Sequence, residues 1–92
     1  MNWTVVALPT FLKDLANLPQ RIREVVEEFA FQVLPTTDNP YSLPQIEKLK
    51  GYREYYRARF GTYRVGLQIN KQSREIKLYC ARHRRDIYRR FP

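Results

Sequence analysis

An alternation of apolar and polar side chains runs through residues 55–69, which read YYRARFGTYRVGLQI. Period-two alternation is typical of β-strands with one buried face. The Gly-Thr pair at 61–62, in the middle of the stretch, is the signature of a two-residue type II′ hairpin loop. A loop at this point predicts three cross-strand pairs on the buried face: Phe60 with Tyr63, Ala58 with Val65, and Tyr56 with Leu67.

The same register predicts the composition of the opposite face of the hairpin. Arg59 lies opposite Arg64, and Arg57 lies opposite Gly66. Like charges that face each other across strands destabilise a sheet by about 0.2–1 kcal/mol, whereas a phosphate between two guanidinium groups turns the repulsion into charge-assisted hydrogen bonding. Gly66 has no side chain and leaves space for a group to approach. The face therefore predicts an anion site; the alternative is that both arginines extend into water.

The N-terminal half predicts helices and one strand. Residues 2–7 indicate a short strand, and residues 9–17 an amphipathic helix that Pro9 can begin. A second apolar stripe at helical spacing extends from after Pro19 to about residue 34. The proline-rich residues 35–47 are interpreted as a connector inside one domain.

After the hairpin, residues 70–74 predict a turn into a third strand, with Ile76, Leu78 and Cys80 inward. Ile87 and Phe91, spaced i, i+4, predict a helical turn anchored on the body, from which Tyr88 projects toward the basic face. The alternative for Tyr88 is an amphipathic residue that covers the body of the protein. The predicted fold class is α+β, in the order β-α-α-β-β-β with a short C-terminal helix. We expect an antiparallel sheet packed on two helices in a single domain, residues 1–92.

Composition excludes several classes of site. The chain of 92 residues has one Cys and one His, too few for a disulfide framework or a structural zinc site. We expect neither metal nor cofactor. The N-terminus does not resemble a secretory signal, and the apolar runs are too short to span a membrane, so the expected compartment is the cytoplasm.

The formal net charge of +8 is unevenly distributed. Residues 1–47 carry three basic and six acidic side chains, net −3, whereas residues 48–92 carry fourteen basic and three acidic ones, net +11. Ten of the fourteen are arginines, and tyrosines lie among them, a combination that suits phosphate contact and base stacking in RNA. The alternatives are a solvated basic face or a docking surface for an acidic protein.

Cleavage of RNA by its own 2′-hydroxyl needs a grip on the phosphate, in-line alignment and two proton transfers. Arginine can supply the grip but stays protonated, so it is a poor general base. The candidates for proton transfer are Tyr88, His83 and Glu54. Cys80 is interpreted as a core residue. The alternative for His83 is a structural or solvent-exposed histidine with no part in the chemistry.

Three stretches together resemble the RelE/ParE toxin superfamily: residues 49–51, residues 56–65 (YRARFGTYRV) and residues 83–88 (HRRDIY). The predicted order of elements is also similar, and the resemblance covers essentially the whole chain. It implies the toxin of a type II toxin–antitoxin system. RelE-type members have a fold like that of small microbial ribonucleases and cleave mRNA in the ribosomal A site without a metal.

The resemblance also implies roles for individual residues. Arg57 and Arg59 correspond to two basic residues on the first hairpin strand, Arg64 to the arginine that stabilises the phosphate, Arg82 to the arginine that assists the leaving group, and Tyr88 to the tyrosine that aligns or activates the nucleotide. The well-known members carry Lys in place of Arg57 and Arg59, which implies a different role or weaker activity here. The predicted RNA-binding residues are Lys50, Arg53, Tyr55, His83, Arg84 and Arg85.

The expected partners follow from the same resemblance: an acidic cognate antitoxin, the ribosome with its mRNA, and operator DNA only through the antitoxin complex. Two other functions stay open. ParE-type members share the fold but act on DNA gyrase, and a non-toxic member would serve as an antitoxin-binding corepressor.

Overall fold

The computed structural model describes residues 2–92, of Arg90 the backbone only, and within that range the chain forms five strands in one sheet with helices on both faces. The elements are β1 (Thr4–Ala7), α1 (Pro9–Ala16), α2 (Gln20–Glu28), a π-helical turn (Phe29–Val33), α3 (Leu34–Thr36), a 3-10 turn (Pro40–Ser42), β2 (Ile46–Lys48), β3 (Tyr55–Phe60), β4 (Tyr63–Asn70), β5 (Glu75–His83) and α4 (Arg84–Arg90).

The predicted hairpin register is confirmed. β3 and β4 pair antiparallel, with Phe60 opposite Tyr63, Ala58 opposite Val65 and Tyr56 opposite Leu67, as well as Arg59 opposite Arg64 and Arg57 opposite Gly66. Gly61 has a φ of 62°, the positive value that the first central position of a type II′ turn requires.

The sheet has the order β1-β5-β4-β3-β2 and differs from expectation at both edges. At one edge, β1 pairs parallel with β5, whereas the other pairings are antiparallel. The long return through both helices and the hairpin makes the parallel pairing possible, since parallel strands need a crossover. At the other edge, β2 pairs with β3 and overlaps the end of the region predicted to be a connector, residues 35–47. A strand of three residues is too short to show a period-two signal.

The two predicted helices cover one face of the sheet. Pro9 occupies the first turn of α1, as predicted. The second helical segment extends through α2, the π-helical turn and α3 to Thr36, slightly beyond the predicted end. The principal core between helices and sheet includes fully buried Phe11, Leu34 and Leu67. In residues 2–92, the helices are all too short or too polar to cross a membrane.

The prediction that Cys80 points inward with Ile76 and Leu78 is wrong. Leu67 of β4 lies opposite Leu78, but Gly66 lies opposite Cys80, so Tyr79 is an additional residue in β5. Such a β-bulge shifts the alternation by one residue. Cys80 is buried, but on the face of the sheet away from α1 and α2.

That face carries a second, smaller apolar cluster of Leu49, Cys80, Ile87 and Phe91. Ile87 and Phe91 are both buried and attach α4 to the sheet, as their spacing predicts. The amide of Arg84, the first residue of α4, donates a hydrogen bond of 2.8 Å to the carbonyl of Thr62 in the hairpin loop. Both ends of α4 are thereby held on this face of the sheet, which lies away from α1 and α2 and is here called the open face.

Candidate functional site

The open face of the sheet brings together the four arginines that the sequence singles out. Arg59 of β3, Arg64 of β4 and Arg82 of β5 are direct neighbours in the cross-strand register, and Arg57 lies two residues from Arg59 along β3. Directly opposed residues share a face of the sheet. The four side chains therefore form one basic surface, here called the arginine face.

Arg64 lies in the middle of the arginine face and is largely buried, with 8% of its surface exposed. Its Nη1 donates hydrogen bonds to the carbonyls of Gly61, at 2.7 Å, and Tyr63, at 2.9 Å. This guanidinium therefore closes the hairpin loop in addition to lying in the candidate site.

Arg59 is an exposed member of the arginine face, and its Nε lies 3.6 Å from Glu47 Oε2 of β2. The opposed pair that predicts an anion site is therefore relieved within the protein, by Glu47 on one side and the loop carbonyls on the other. The opposition of charges by itself does not require a bound phosphate.

Arg57 of the sheet and Tyr88 of α4 are in contact on the arginine face. The guanidinium carbon of Arg57 lies 4.6 Å from the centroid of the Tyr88 ring, within the range of a cation–π contact. Tyr88 is 59% exposed, so the outer face of its ring is open to a planar partner. The prediction that Tyr88 projects toward the basic face is confirmed.

Arg82 is held by an acidic residue of the helical layer. Its Nε lies 3.0 Å from Oδ2 of Asp14, and the side chains are 28% and 17% exposed, respectively. The hydrogen bond from Arg82 to Asp14 raises the pKa of this guanidinium further above its ordinary value, so Arg82 stays a cation in the site and serves as a hydrogen-bond donor.

Gly66 leaves space above the sheet, as the sequence suggests, but the chain itself fills it. A Cβ at Gly66 would lie 2.8 Å from three carbons of the Phe91 ring. The same ring packs against Tyr55 and Tyr79, both with centroids 5.6 Å away. The absence of a side chain at Gly66 thus allows the C-terminal segment, through Phe91, to pack closely on the sheet.

The predicted RNA-binding residues fall into two groups. Lys50, Arg53, Arg84 and Arg85 are exposed and can contact a phosphate backbone. Tyr55 is half-buried beneath Phe91, and His83 packs edge-on against Tyr63, with ring centroids 5.5 Å apart.

The other two proton-transfer candidates have structural partners. His83 Nδ1 accepts a hydrogen bond of 3.3 Å from the amide of Arg85 and so caps α4. Glu54, at the opposite end of β3 from Arg59, accepts one of 3.2 Å from Gln68. Of the three candidates, Tyr88 is the one in contact with the arginine face.

A cleft of about 240 Å³ lies beside Arg82, between the sheet and the C-terminal residues. Its aromatic walls come from Tyr55, Tyr79 and Phe91. Burial raises the pKa of the Cys80 thiol at its base to about 11, so this thiol is protonated and unreactive near neutral pH. Within residues 2–92, the acidic, histidine and cysteine side chains form no cluster that could hold a metal ion.

Three residues that shape this site are not evident from the sequence: Asp14, Glu47, and Phe91 in its contact with Gly66. Asp14 adjoins the apolar stripe of α1, where an acidic residue is a weak signal for a buried partner. Glu47 follows from the β2 pairing, which the sequence does not reveal. The signal for the Phe91 contact is Gly66 itself, because a glycine inside a strand often marks a close approach.

A family model described as the ParE toxin of the type II toxin–antitoxin system parDE matches residues 5–88. The chain is 36% identical over 92 residues to toxin RelE3 of Methanocaldococcus jannaschii, covering 96% of this chain and 98% of that toxin. It is 37% identical over 90 residues to toxin RelG of Mycobacterium tuberculosis, covering 98% and 100%.

Solved structures show the same likeness. The RelB–RelE antitoxin–toxin complex from Methanococcus jannaschii contains a chain with a TM-score of 0.75 and 34% identity, covering 95% of this chain and 99% of that one. The toxin–antitoxin complex RelBE2 from Mycobacterium tuberculosis contains one with a TM-score of 0.71 and 30% identity, covering 90% and 99%.

Proposed function

Because this chain belongs to the RelE/ParE superfamily of toxins from type II toxin–antitoxin systems, we propose that it is a ribosome-dependent endoribonuclease. In this proposal it cleaves mRNA in the ribosomal A site and so inhibits translation in the cytoplasm. The observation that carries the proposal is the arginine face with Tyr88 stacked on it.

The proposed chemistry is attack by the ribose 2′-oxygen on the adjacent phosphorus. The bond from the 2′-oxygen to phosphorus forms, the bond to the 5′-oxygen breaks, and a 2′,3′-cyclic phosphate and a 5′-hydroxyl result. One proton leaves the 2′-hydroxyl and another reaches the 5′-oxygen. Arg57 and Arg82 would stabilise the negative charge that develops on the phosphate, and Tyr88 would stack on the nucleotide or take part in proton transfer.

The arrangement supports this assignment through charge and access. Arg82 keeps Nη1 and Nη2 for a phosphate because Asp14 contacts its Nε. The exposed Arg84 and Arg85 at the start of α4 extend the positive surface toward a structured RNA. The ribosome would supply the alignment of the mRNA that such a small protein does not provide alone.

Primer extension on a defined mRNA, with and without ribosomes, tests the proposal. We expect cleavage that requires ribosomes, about 100-fold slower or more with Arg82→Ala and with Tyr88→Ala. Lys71→Ala is the matched control, because it removes an exposed cation from the β4–β5 turn, at the far end of β4 from the hairpin loop. Full activity of Arg64→Ala/Arg82→Ala would refute the proposal, provided that circular dichroism shows a folded double variant.

The family model named for ParE toxins favours a second candidate, inhibition of DNA gyrase. A supercoiling assay separates the two functions: a gyrase inhibitor blocks supercoiling by the purified enzyme and leaves mRNA intact. Expression of the chain alone distinguishes both from a non-toxic corepressor, which would leave growth unchanged.

The proposed partner is an acidic antitoxin, which would join this toxin in a complex that binds operator DNA. Similar chains occur in toxin–antitoxin complexes from three organisms, and the formal charge of +8 favours an acidic partner. Co-expression with the product of a short neighbouring gene, followed by size-exclusion chromatography, tests this partner.

A further inference from the structure

The outer edge of β5 changes partner midway. Its pairing with β1 ends at Ala7, opposite Leu78, so the edge groups that follow need other partners. Two side chains of α1 supply them: Thr10 Oγ1 donates to the carbonyl of Tyr79, and Asp14 accepts from the amide of Ala81 at 3.1 Å. Helix α1 thereby takes over the role of the edge strand.

Asp14 makes a second contact through the same oxygen. Its Oδ2 accepts from both the Ala81 amide and the Nε of Arg82. The backbone bond fixes the carboxylate relative to β5, so the carboxylate in turn fixes the guanidinium of Arg82. An arginine is a planar fork; with Nε held, its two terminal nitrogens point in one direction.

We propose that Asp14 is a positioning residue of the proposed ribonuclease site, which orients Arg82 so that Nη1 and Nη2 contact the substrate phosphate. This inference rests on the proposed function and extends it into the helical layer. Asp14 itself does not touch the substrate; it acts through Arg82.

Geometry and charge make opposite predictions for two variants of Asp14. Asp14→Asn keeps the shape and one acceptor oxygen but removes the charge, and Asp14→Glu keeps the charge but moves the carboxylate by a methylene group. If position matters, Asn retains the function and Glu loses it. If the negative charge matters, the order is reversed.

The experiment is single-turnover cleavage of mRNA on programmed ribosomes by the full chain. At saturating enzyme, we expect Asp14→Asn within about threefold of the wild-type rate and Asp14→Glu at least about tenfold slower, because small displacements of a catalytic group are costly. The half-saturating concentration should change less than about twofold, since binding to the ribosome uses many other cations. Asp14→Glu as fast as Asp14→Asn, or faster, overturns the inference.

Thr10→Val is the matched control because it also removes a hydrogen bond between α1 and the β5 edge, and that bond is to the carbonyl of Tyr79, not to Arg82. We expect its cleavage rate to be within about twofold of the wild-type rate. A loss of rate equal to that of Asp14→Glu would show that Asp14 acts only as a contact at the edge of the sheet, and would overturn the inference.

The ¹⁵N signal of Arg82 Nε–H reads the same contact without any cleavage. We expect it to be retained in Asp14→Asn and shifted in Asp14→Glu; no shift in the Glu variant refutes the orientation of Arg82 by Asp14. A wild-type chain that cleaves nothing would instead refute the proposed function, and this signal keeps the two failures apart.

Discussion

Substitution of Gly66 by alanine tests how the sheet holds the C-terminal segment. The added methyl group would lie 2.8 Å from Cγ, Cδ1 and Cδ2 of Phe91, whereas carbon atoms in contact are about 3.5–4.0 Å apart. The ring must therefore move away by about 1 Å. Gly66 is paired in the middle of β4, so the backbone cannot easily move instead.

The expected cost follows from what the ring loses. Phe91 is 6% exposed and packs against two tyrosines. Overpacking at a buried contact costs about 1–3 kcal/mol, and alanine regains about 0.5–1 kcal/mol over glycine in a strand. The cost cannot exceed the free energy of releasing α4, because a detached helix no longer meets the methyl group.

Urea unfolding followed by circular dichroism measures this cost, and hydrogen exchange over residues 84–91 shows whether α4 has detached. We expect Gly66→Ala to destabilise the protein by about 1–2 kcal/mol, or to raise exchange in α4. The matched control is Gly66→Ala made in the Phe91→Ala variant, because the added methyl group meets no aromatic ring there. There Gly66→Ala should be neutral or slightly stabilising, and an equal cost in both backgrounds would refute the reasoning.

Four further predictions concern the open face. Because its pKa is about 11, the Cys80 thiol should react with iodoacetamide at pH 8 at least about 100-fold more slowly than an exposed thiol. The raised pKa also means that Cys80 contributes stability below about pH 9, which is lost as the pH rises through about 11. The urea midpoint of unfolding should therefore fall between about pH 9 and 11, and it should fall less steeply in Cys80→Ala. Tyr88→Phe should keep the stacking on Arg57. If the ring aligns the nucleotide, Tyr88→Phe should lower the cleavage rate far less than Tyr88→Ala does. If the hydroxyl transfers a proton, the two variants should lower the rate by the same factor. Glu47→Ala should change the free energy of unfolding by less than about 1 kcal/mol, because its ion pair with Arg59 is largely exposed.

Local pattern and chemistry allow the sequence to predict the hairpin fully. Alternation and the Gly61-Thr62 loop fix the register of β3 and β4, so the sequence correctly places Arg57, Arg59 and Arg64 on one face. The anchoring of α4 by Ile87 and Phe91 is equally local, since both belong to one helical turn and its end.

Long-range features are less accessible. The parallel pairing of β1 with β5 depends on how the helices return the chain to the sheet, and β2 is too short to show a period. The contact between Asp14 and Arg82 joins residues 68 positions apart. No local signal specifies such a pair, so it emerges only once α1 lies against the end of β5.

The β-bulge at Tyr79 shows why the site could not be derived from alternation alone. If β5 alternated strictly, Arg82 would lie on the same face as Ile76 and Leu78, which is the face that packs against the helices. The additional residue reverses the alternation, so that Arg82 lies opposite Arg64 on the open face. The bulge also coincides with the edge groups that Thr10 and Asp14 of α1 satisfy. One inserted residue therefore both assembles the arginine face and creates the contact that fixes Arg82, which makes this irregularity the link between the fold and the proposed chemistry.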